Sequence, residues 1–280
     1  MNINETETEQ AAALEPLLAN CRAYWLGWGT PESASESPSA SASESASESL
    51  SGGDHGELTY YRTGLADGQL NGVLRLTGTD ELEQVVSYAT DRMAGLPWMW
   101  WVGPDSAPDT ARRLTEHGAV KLGASPVMAI RLDRLAPAPG PADLKIETVE
   151  DAEALYEWVE AFTTAFGVTP DIIDDVARLE AERPDSPRIT RFAGRRDGRI
   201  VGTSLLYEAH GIAGLYVVST DPDHRRQGIG TALSTAALTA GRERGLTVGT
   251  LQSSPLGALV YPHMGFETVA EYGLFGFPAS

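Results

Sequence analysis

With 280 residues, 42% of them hydrophobic, the chain is long enough for two domain-sized cores, and it contains no apolar run near the roughly 18 residues that a membrane span requires. Its net charge of −18 argues against a nucleic-acid surface, which needs a cationic footprint, and suits a cationic amine partner. Cys21 is the one cysteine, so no internal disulfide forms, and the opening Met-Asn-Ile-Asn-Glu lacks the basic and apolar stretches of a secretory signal, so a cytoplasmic protein is expected.

Along the chain, Ala11 to Trp28 reads as a helix and Glu57 to Arg62 as a strand. Between them, residues 31–53 are almost wholly Ser, Ala, Glu, Pro and Gly; with so little to bury, they are expected to form a disordered surface insert. A strand (Val73 to Leu76), a helix (Asp80 to Met93), an aromatic strand (Trp98 to Val102) and a short helix (Thr110 to Glu116) follow, then His117-Gly118-Ala119-Val120. The Pro-rich stretch 136–143 reads as a semi-rigid linker between domains at 1–135 and 144–280.

The second half opens with a strand (Leu144 to Thr148) and helices at Asp151 to Phe166 and Asp171 to Glu182. Strands at Ile189 to Arg195 and Arg199 to Glu208 are joined by Asp197-Gly198, a hairpin signal. The next strand, Gly211 to Val218, leads into Asp221-Pro-Asp-His-Arg-Arg-Gln-Gly-Ile-Gly-Thr231 and a helix with Ile229, Leu233, Ala236, Ala237 and Ala240 on one face. Strand, glycine turn and helix in that order form an anion site. The helix N-terminus offers unpaired N–H groups, the two glycines let backbone approach a phosphate, and Arg225 and Arg226 add charge. Two owners of such loops are excluded. No Gly-Lys-Ser/Thr follows, and Leu233 stands where a dinucleotide fingerprint needs its third glycine.

Arg225-x-x-Gly228-x-Gly230 after a Val-Val strand resembles the pyrophosphate loop of the GNAT superfamily of N-acetyltransferases. The downstream order is also similar to that family's closing pattern: a strand at Val248 to Leu251, Ser253-Ser254-Pro255, a short helix reaching Tyr261, then Met264-Gly265-Phe266. The resemblance covers residues 144 to 280. It implies an α/β (α+β) fold with a mixed, mostly antiparallel twisted sheet flanked by helices. The first half repeats the order of elements, so tandem domains of this fold are expected. At the phosphate turn, however, the first half carries Asp80 and Glu81, which would repel a pyrophosphate, and Leu114 stands in the place of Tyr261. It reads as a degenerate copy that binds no acyl donor.

The resemblance implies acetyl-CoA as co-substrate, no metal, and transfer of the acetyl group to a primary amine. Arg225, Arg226, Gln227, Gly228, Ile229, Gly230 and Thr231 would hold the pyrophosphate. Val217, Val218 and Ser219 would pair with the pantetheine arm, with the N–H of Val217 or Val218 facing the thioester oxygen. Tyr261 would protonate the departing thiolate, although Pro262 directly after it breaks or kinks the helix. Trp158, Phe162, Phe166 and the 168–188 stretch would line the acceptor cleft. No single base stands out: Glu208, near the end of a strand neighbouring the acyl site, and His210 after it could act directly or through water, and His224 and His263 flank motifs, but all four also read as turn or loop residues. A non-catalytic acyl-CoA-binding sensor or interaction module is the alternative.

Overall fold

The computed structural model describes residues 3–29, 44–49, 57–78 and 82–277. In chain order it has helix α1 (Ile3–Leu26), strands β1 (Glu44–Ser49), β2 (Glu57–Arg62) and β3 (Asn71–Leu76), then α2 (Leu82–Arg92), β4 (Met99–Val102), α3 (Thr110–Glu116) and β5 (Val120–Arg131). There follow β6 (Lys145–Thr148), α4 (Ala152–Phe166), α5 (Ile173–Ala181), β7 (Ile189–Arg196), β8 (Arg199–Ala209), β9 (Ile212–Thr220), α6 (Ile229–Glu243), β10 (Val248–Gln252) and β11 (Glu267–Gly276). The periodicity of the sequence anticipates most of these; β1, β5 and β11 are additions.

Two compact units emerge, one comprising Met1–Cys21 with Val127–Val269, the other Arg22–Pro126 with Ala270–Ser280. The sequence suggested a division at 136–143, but that linker lies inside the first unit. Gly140 there, at φ +75°, sits so close to α6 that a Cβ would fall 2.7 Å from that of Ala232. The chain leaves the second unit at Pro126 instead, in the middle of β5, where the missing N–H cannot continue a ladder.

In the first unit the strands run β5, β10, β9, β8, β7, β6, with β5 represented by Val127 to Arg131. Only β9 and β10 are parallel, so the sheet is mixed and mostly antiparallel. Asp197 (φ 49°) and Gly198 (φ 80°) form the tight turn between β7 and β8, and His210 (φ 55°) and Gly211 (φ 73°) the turn between β8 and β9. Helix α6 covers one face, where Gly194 and Gly202 leave room for Leu233. Helix α4 starts at Asp151, whose carboxylate accepts from the Ala154 N–H at 2.8 Å, and stops at Gly167 in the left-handed conformation. It buries Trp158, Val159, Phe162 and Thr163.

On the face opposite α6, the last turns of α1 dock through Asn20, which is fully buried. Its amide donates to the carbonyls of Ala209 (3.1 Å) and Ile212 (3.2 Å), and its oxygen accepts from the Tyr216 hydroxyl at 2.8 Å. Replacing Asn20 by Leu removes these three buried hydrogen bonds, so we expect a loss of about 1–3 kcal/mol of stability. Urea denaturation measures it; a loss under a few tenths would mean that α1 does not dock.

The second unit runs β1, β2, β3, β4, β11, with β11 pairing to β4 through Gly273 to Phe275. Leu58, Val73, Leu82, Val85, Trp100, Leu114 and Phe275 belong to its core. A second aromatic group joins Trp25, Tyr61, Trp101 and Tyr272, with Trp25 stacked on Tyr61 at 5.3 Å. Within the Ser/Ala/Glu insert, Glu44–Ser49 pairs antiparallel with β2. A sheet edge offers unpaired backbone groups, which any segment without proline can meet through its own backbone. The rest of the insert lies outside the described residues.

Candidate active site

Strands β9 and β10 pair only at Ala213 with Gly249 and Gly214 with Thr250. Beyond that point β9 continues to Thr220 with no further pairing to β10, and a cleft opens between them. Along the other edge of β9 the register with β8 skips: Tyr216 faces Leu205 and Ser219 faces Thr203, so Val217 and Val218 together stand opposite the single residue Ser204. Val217 sits at φ +50°, a left-handed conformation that is rare for a β-branched side chain and costs about 1–3 kcal/mol. Such a bulge re-aims the backbone. The Val217 carbonyl accepts from the Thr203 hydroxyl on β8 at 2.7 Å. Because a trans peptide places its N–H opposite its carbonyl, the Val218 N–H points away from the Thr203 hydroxyl. The Val218 side chain packs against the core, and Ser219 is held by Thr203 Oγ1 at 2.8 Å.

The turn after β9 has Arg226 (φ 61°) and Gly228 (φ 79°) in left-handed conformations two residues apart, with Gly228 at the N-cap of α6. Alternation of this kind converges successive N–H groups into an anion-binding nest, on top of the helix dipole. A Cβ on Gly228 would meet nothing within 4 Å, so the space beyond it is open. Ile229 is 1% exposed, so its side chain belongs to the core and only its backbone faces the turn. Arg225 differs from expectation. Its guanidinium turns back to the carbonyls of Thr220 (3.3 Å) and Ala165 (3.4 Å), bracing the loop against the end of α4. Gln227 is engaged by Arg196 of β7 at 2.6 Å, a neighbour with no signal in the local sequence.

Residues 256–264 form no continuous helix but two 3-10 turns, Gly257–Leu259 and Tyr261–Met264. Pro262 lacks the N–H that would continue a helix, so a new turn begins at Tyr261 and closes at Gly265 (φ 96°). Tyr261 is thereby buried, edge-on to Phe266 at 5.5 Å and beside the Ser234 hydroxyl of α6. Burial pushes its phenol up to about 12, an effect that Ser234 slightly offsets, so the group is protonated throughout the neutral range.

The other expected site residues lie elsewhere. Glu208 forms an ion pair with Arg244 and faces Ala213, five residues along β9 from Val218, or about 16 Å at strand rise. His210 shapes a hairpin turn, His224 Nδ1 lies 3.2 Å from Asp221, and His263 Nδ1 lies 3.0 Å from the Leu259 carbonyl. Trp158 and Phe162 are core, Trp158 donating to the Phe192 carbonyl at 3.0 Å, whereas Phe166 is exposed. In the 168–188 stretch, buried Glu180 accepts from Arg191 at 2.8 Å, and Arg183 grips Asp185 through two bonds of 2.9 Å. A cavity of about 410 Å³ lies between α4 and the β7–β8 turn, lined by Glu157, Glu160, Arg195, Arg199 and Asp221. Neither the turn glycines nor Tyr261 line it. Among the described residues no group of three or more His, Cys, Asp or Glu could hold a metal, and no helix is long and apolar enough to cross a membrane.

In the second unit, β3 and β4 pair in parallel at Gly72 with Met99 and Val73 with Trp100, as β9 and β10 do. There the gap is bridged, because the Ala107 N–H bonds the Leu76 carbonyl at 2.7 Å. Leu114 is fully buried. Asp80 and Glu81 lie outside the described residues.

Residues 152–266 match the acetyltransferase (GNAT) family. A curated relative, mycothiol acetyltransferase of Thermobispora bispora, is 29% identical over 174 residues, 57% of this chain and 59% of that protein's length. Among solved structures, a GCN5-related N-acetyltransferase from Kribbella flavida superposes with a TM-score of 0.63 at 22% identity, covering 81% of this chain and 88% of that one. A tandem GNAT protein from the clavulanic acid biosynthesis pathway superposes with a TM-score of 0.60 at 16% identity, over 91% of this chain and 93% of its own. At such identities the two structures speak for the fold, including its tandem form. With the bulged strand, the parted neighbours and the turn at α6 all falling within the matched segment, residues 152–266 are a domain of the acetyltransferase (GNAT) family.

Proposed function

We propose that the chain is an acetyl-CoA-dependent N-acetyltransferase that moves an acetyl group directly to a primary amine. The observation that carries this reading is the bulge at Val217, on a strand that leads directly into the left-handed turn at Arg226 and Gly228 where α6 begins. The family match over this segment and the name of the Thermobispora relative support acetyl transfer.

In this reading the N–H groups at the start of α6 hold the donor's pyrophosphate, and the Val218 N–H bonds the thioester oxygen, where negative charge develops. The neutral amine attacks the carbonyl carbon. A C–N bond forms and the C–S bond breaks. The thiolate takes the proton of the Tyr261 hydroxyl, the amine's surplus proton passes to solvent, and the tyrosinate takes a proton back from solvent. Glu208, tied to Arg244 and remote from Val218, takes no part.

One donor per chain is expected, bound in the unit that holds the nest, since the Ala107–Leu76 bond closes the corresponding gap in the other. Calorimetry with acetyl-CoA, together with thiol release against a panel of amines, tests both statements. Two donors per chain would overturn the assignment to one unit. Binding with no thiol release from any amine would favour the donor-binding module instead.

A further inference from the structure

The phosphate turn holds fewer free cations than its sequence promises, because Arg225 is committed to two backbone carbonyls behind the loop. A guanidinium that reaches the turn from outside the glycine motif belongs to Arg196, at the end of β7. Its Nη1 donates to Gln227 Oε1 at 2.6 Å, and its Nε donates to Asp143 Oδ2 at 2.9 Å, with a second, closer contact from Nη2. Asp143 closes the Pro-rich linker, and the same linker rests on the first turn of α6, where Gly140 meets Ala232 and approaches the Gly228 carbonyl. The Arg196 contact holds the Asp143 carboxyl below the usual carboxylate range. Both side chains remain partly exposed, 21% for Arg196 and 61% for Asp143.

We propose that Arg196 is a further donor-binding residue, which Asp143 of the linker occupies in the free protein and which a phosphate of the donor takes over on binding. This inference rests on the acetyl-CoA reading above. An arginine fork binds phosphate oxygens through parallel bonds, as it binds a carboxylate. A multiply charged phosphate at the nest competes with a half-exposed Asp143 for the same guanidinium. Asp143 is then a built-in competitor, and the linker a modest brake on donor affinity.

Calorimetry compares acetyl-CoA with 3′-dephospho-acetyl-CoA on the full chain, for wild type, Arg196→Ala, Arg196→Lys and Asp143→Asn, with melting temperature as the folding control. Arg196→Ala should weaken acetyl-CoA about tenfold or more, the scale of a charge-assisted hydrogen bond. Arg196→Lys should recover part of that, and Asp143→Asn should tighten binding several-fold. A loss equal for both donors places Arg196 on the pyrophosphate, and a loss confined to acetyl-CoA places it on the 3′-phosphate. If wild type binds but Arg196→Ala binds both donors as tightly, the inference is overturned and the acetyl-CoA reading stands. If wild type binds neither, both fall together.

Discussion

Tyr261→Phe should lower turnover by about 10²–10⁴, the range for removing a positioned general acid, while donor affinity stays within a few-fold. The substitution removes one hydroxyl and keeps the ring, which is packed edge-on against Phe266 and held in place by the turn that Pro262 begins. Its phenol, pushed up to about 12 by burial, is a reluctant acid in isolation but fully loaded with its proton at neutral pH. In the proposed step the proton goes to a departing thiolate whose conjugate acid lies near the cysteine range of about 8.5. Raising pH from 7 to 10 should therefore not unload Tyr261, so an alkaline fall in rate below pH 10 would have to come from another group. A Phe variant that melts lower yet turns over normally would remove Tyr261 from the chemistry.

The two turn glycines should fail for different reasons. Gly228 is left-handed at φ 79° with open space around its Cα, so Gly228→Val strains the backbone by about 1–2 kcal/mol and projects a branched side chain toward the anion. Gly230 is unstrained in φ, but its Cβ would stand 3.4 Å from Thr220 Oγ1 and 3.9 Å from Val218 Cγ1. A lone methyl group fits there; the branches of valine do not. We expect Gly228→Val and Gly230→Val each to abolish measurable acetyl-CoA binding, Gly230→Ala to bind within about tenfold of wild type, and melting temperatures to fall by only a few degrees. Unchanged donor affinity in either valine variant would falsify the assignment of this turn.

Much of this site was legible in the sequence because its signals are local. A strand, two glycines and an amphipathic helix occupy consecutive residues, and Asp197-Gly198 announces its hairpin. Contacts far apart in sequence carried no such signal. Arg196 and Asp143 are 53 positions apart, and Asn20 reaches Tyr216 across 196. Strand β5 was missed because Gly123 and Pro126 interrupt it, and β11 because Gly273 and Gly276 dilute its alternation. Glu208 misled in the other direction. It lies near the C-terminal end of β8, but its antiparallel pairing places it beside the start of β9, far from the bulge.

The path of the chain also bears on how the protein can be made and cut. On the ribosome, Met99–Val102 emerges long before the segment that pairs with it, Gly273 to Phe275. Until then this aromatic strand has one open side, the kind of edge that recruits unwanted partners. Dividing the gene at the Pro-rich stretch would make that exposure permanent. The upstream fragment would lack the partner of Trp100 and Trp101, and the downstream fragment would lose Val127 to Arg131, which pair with Val248–Gln252, as well as Asn20. The conspicuous linker is thus a poor place to dissect this protein, because each compact unit draws segments from both sides of it.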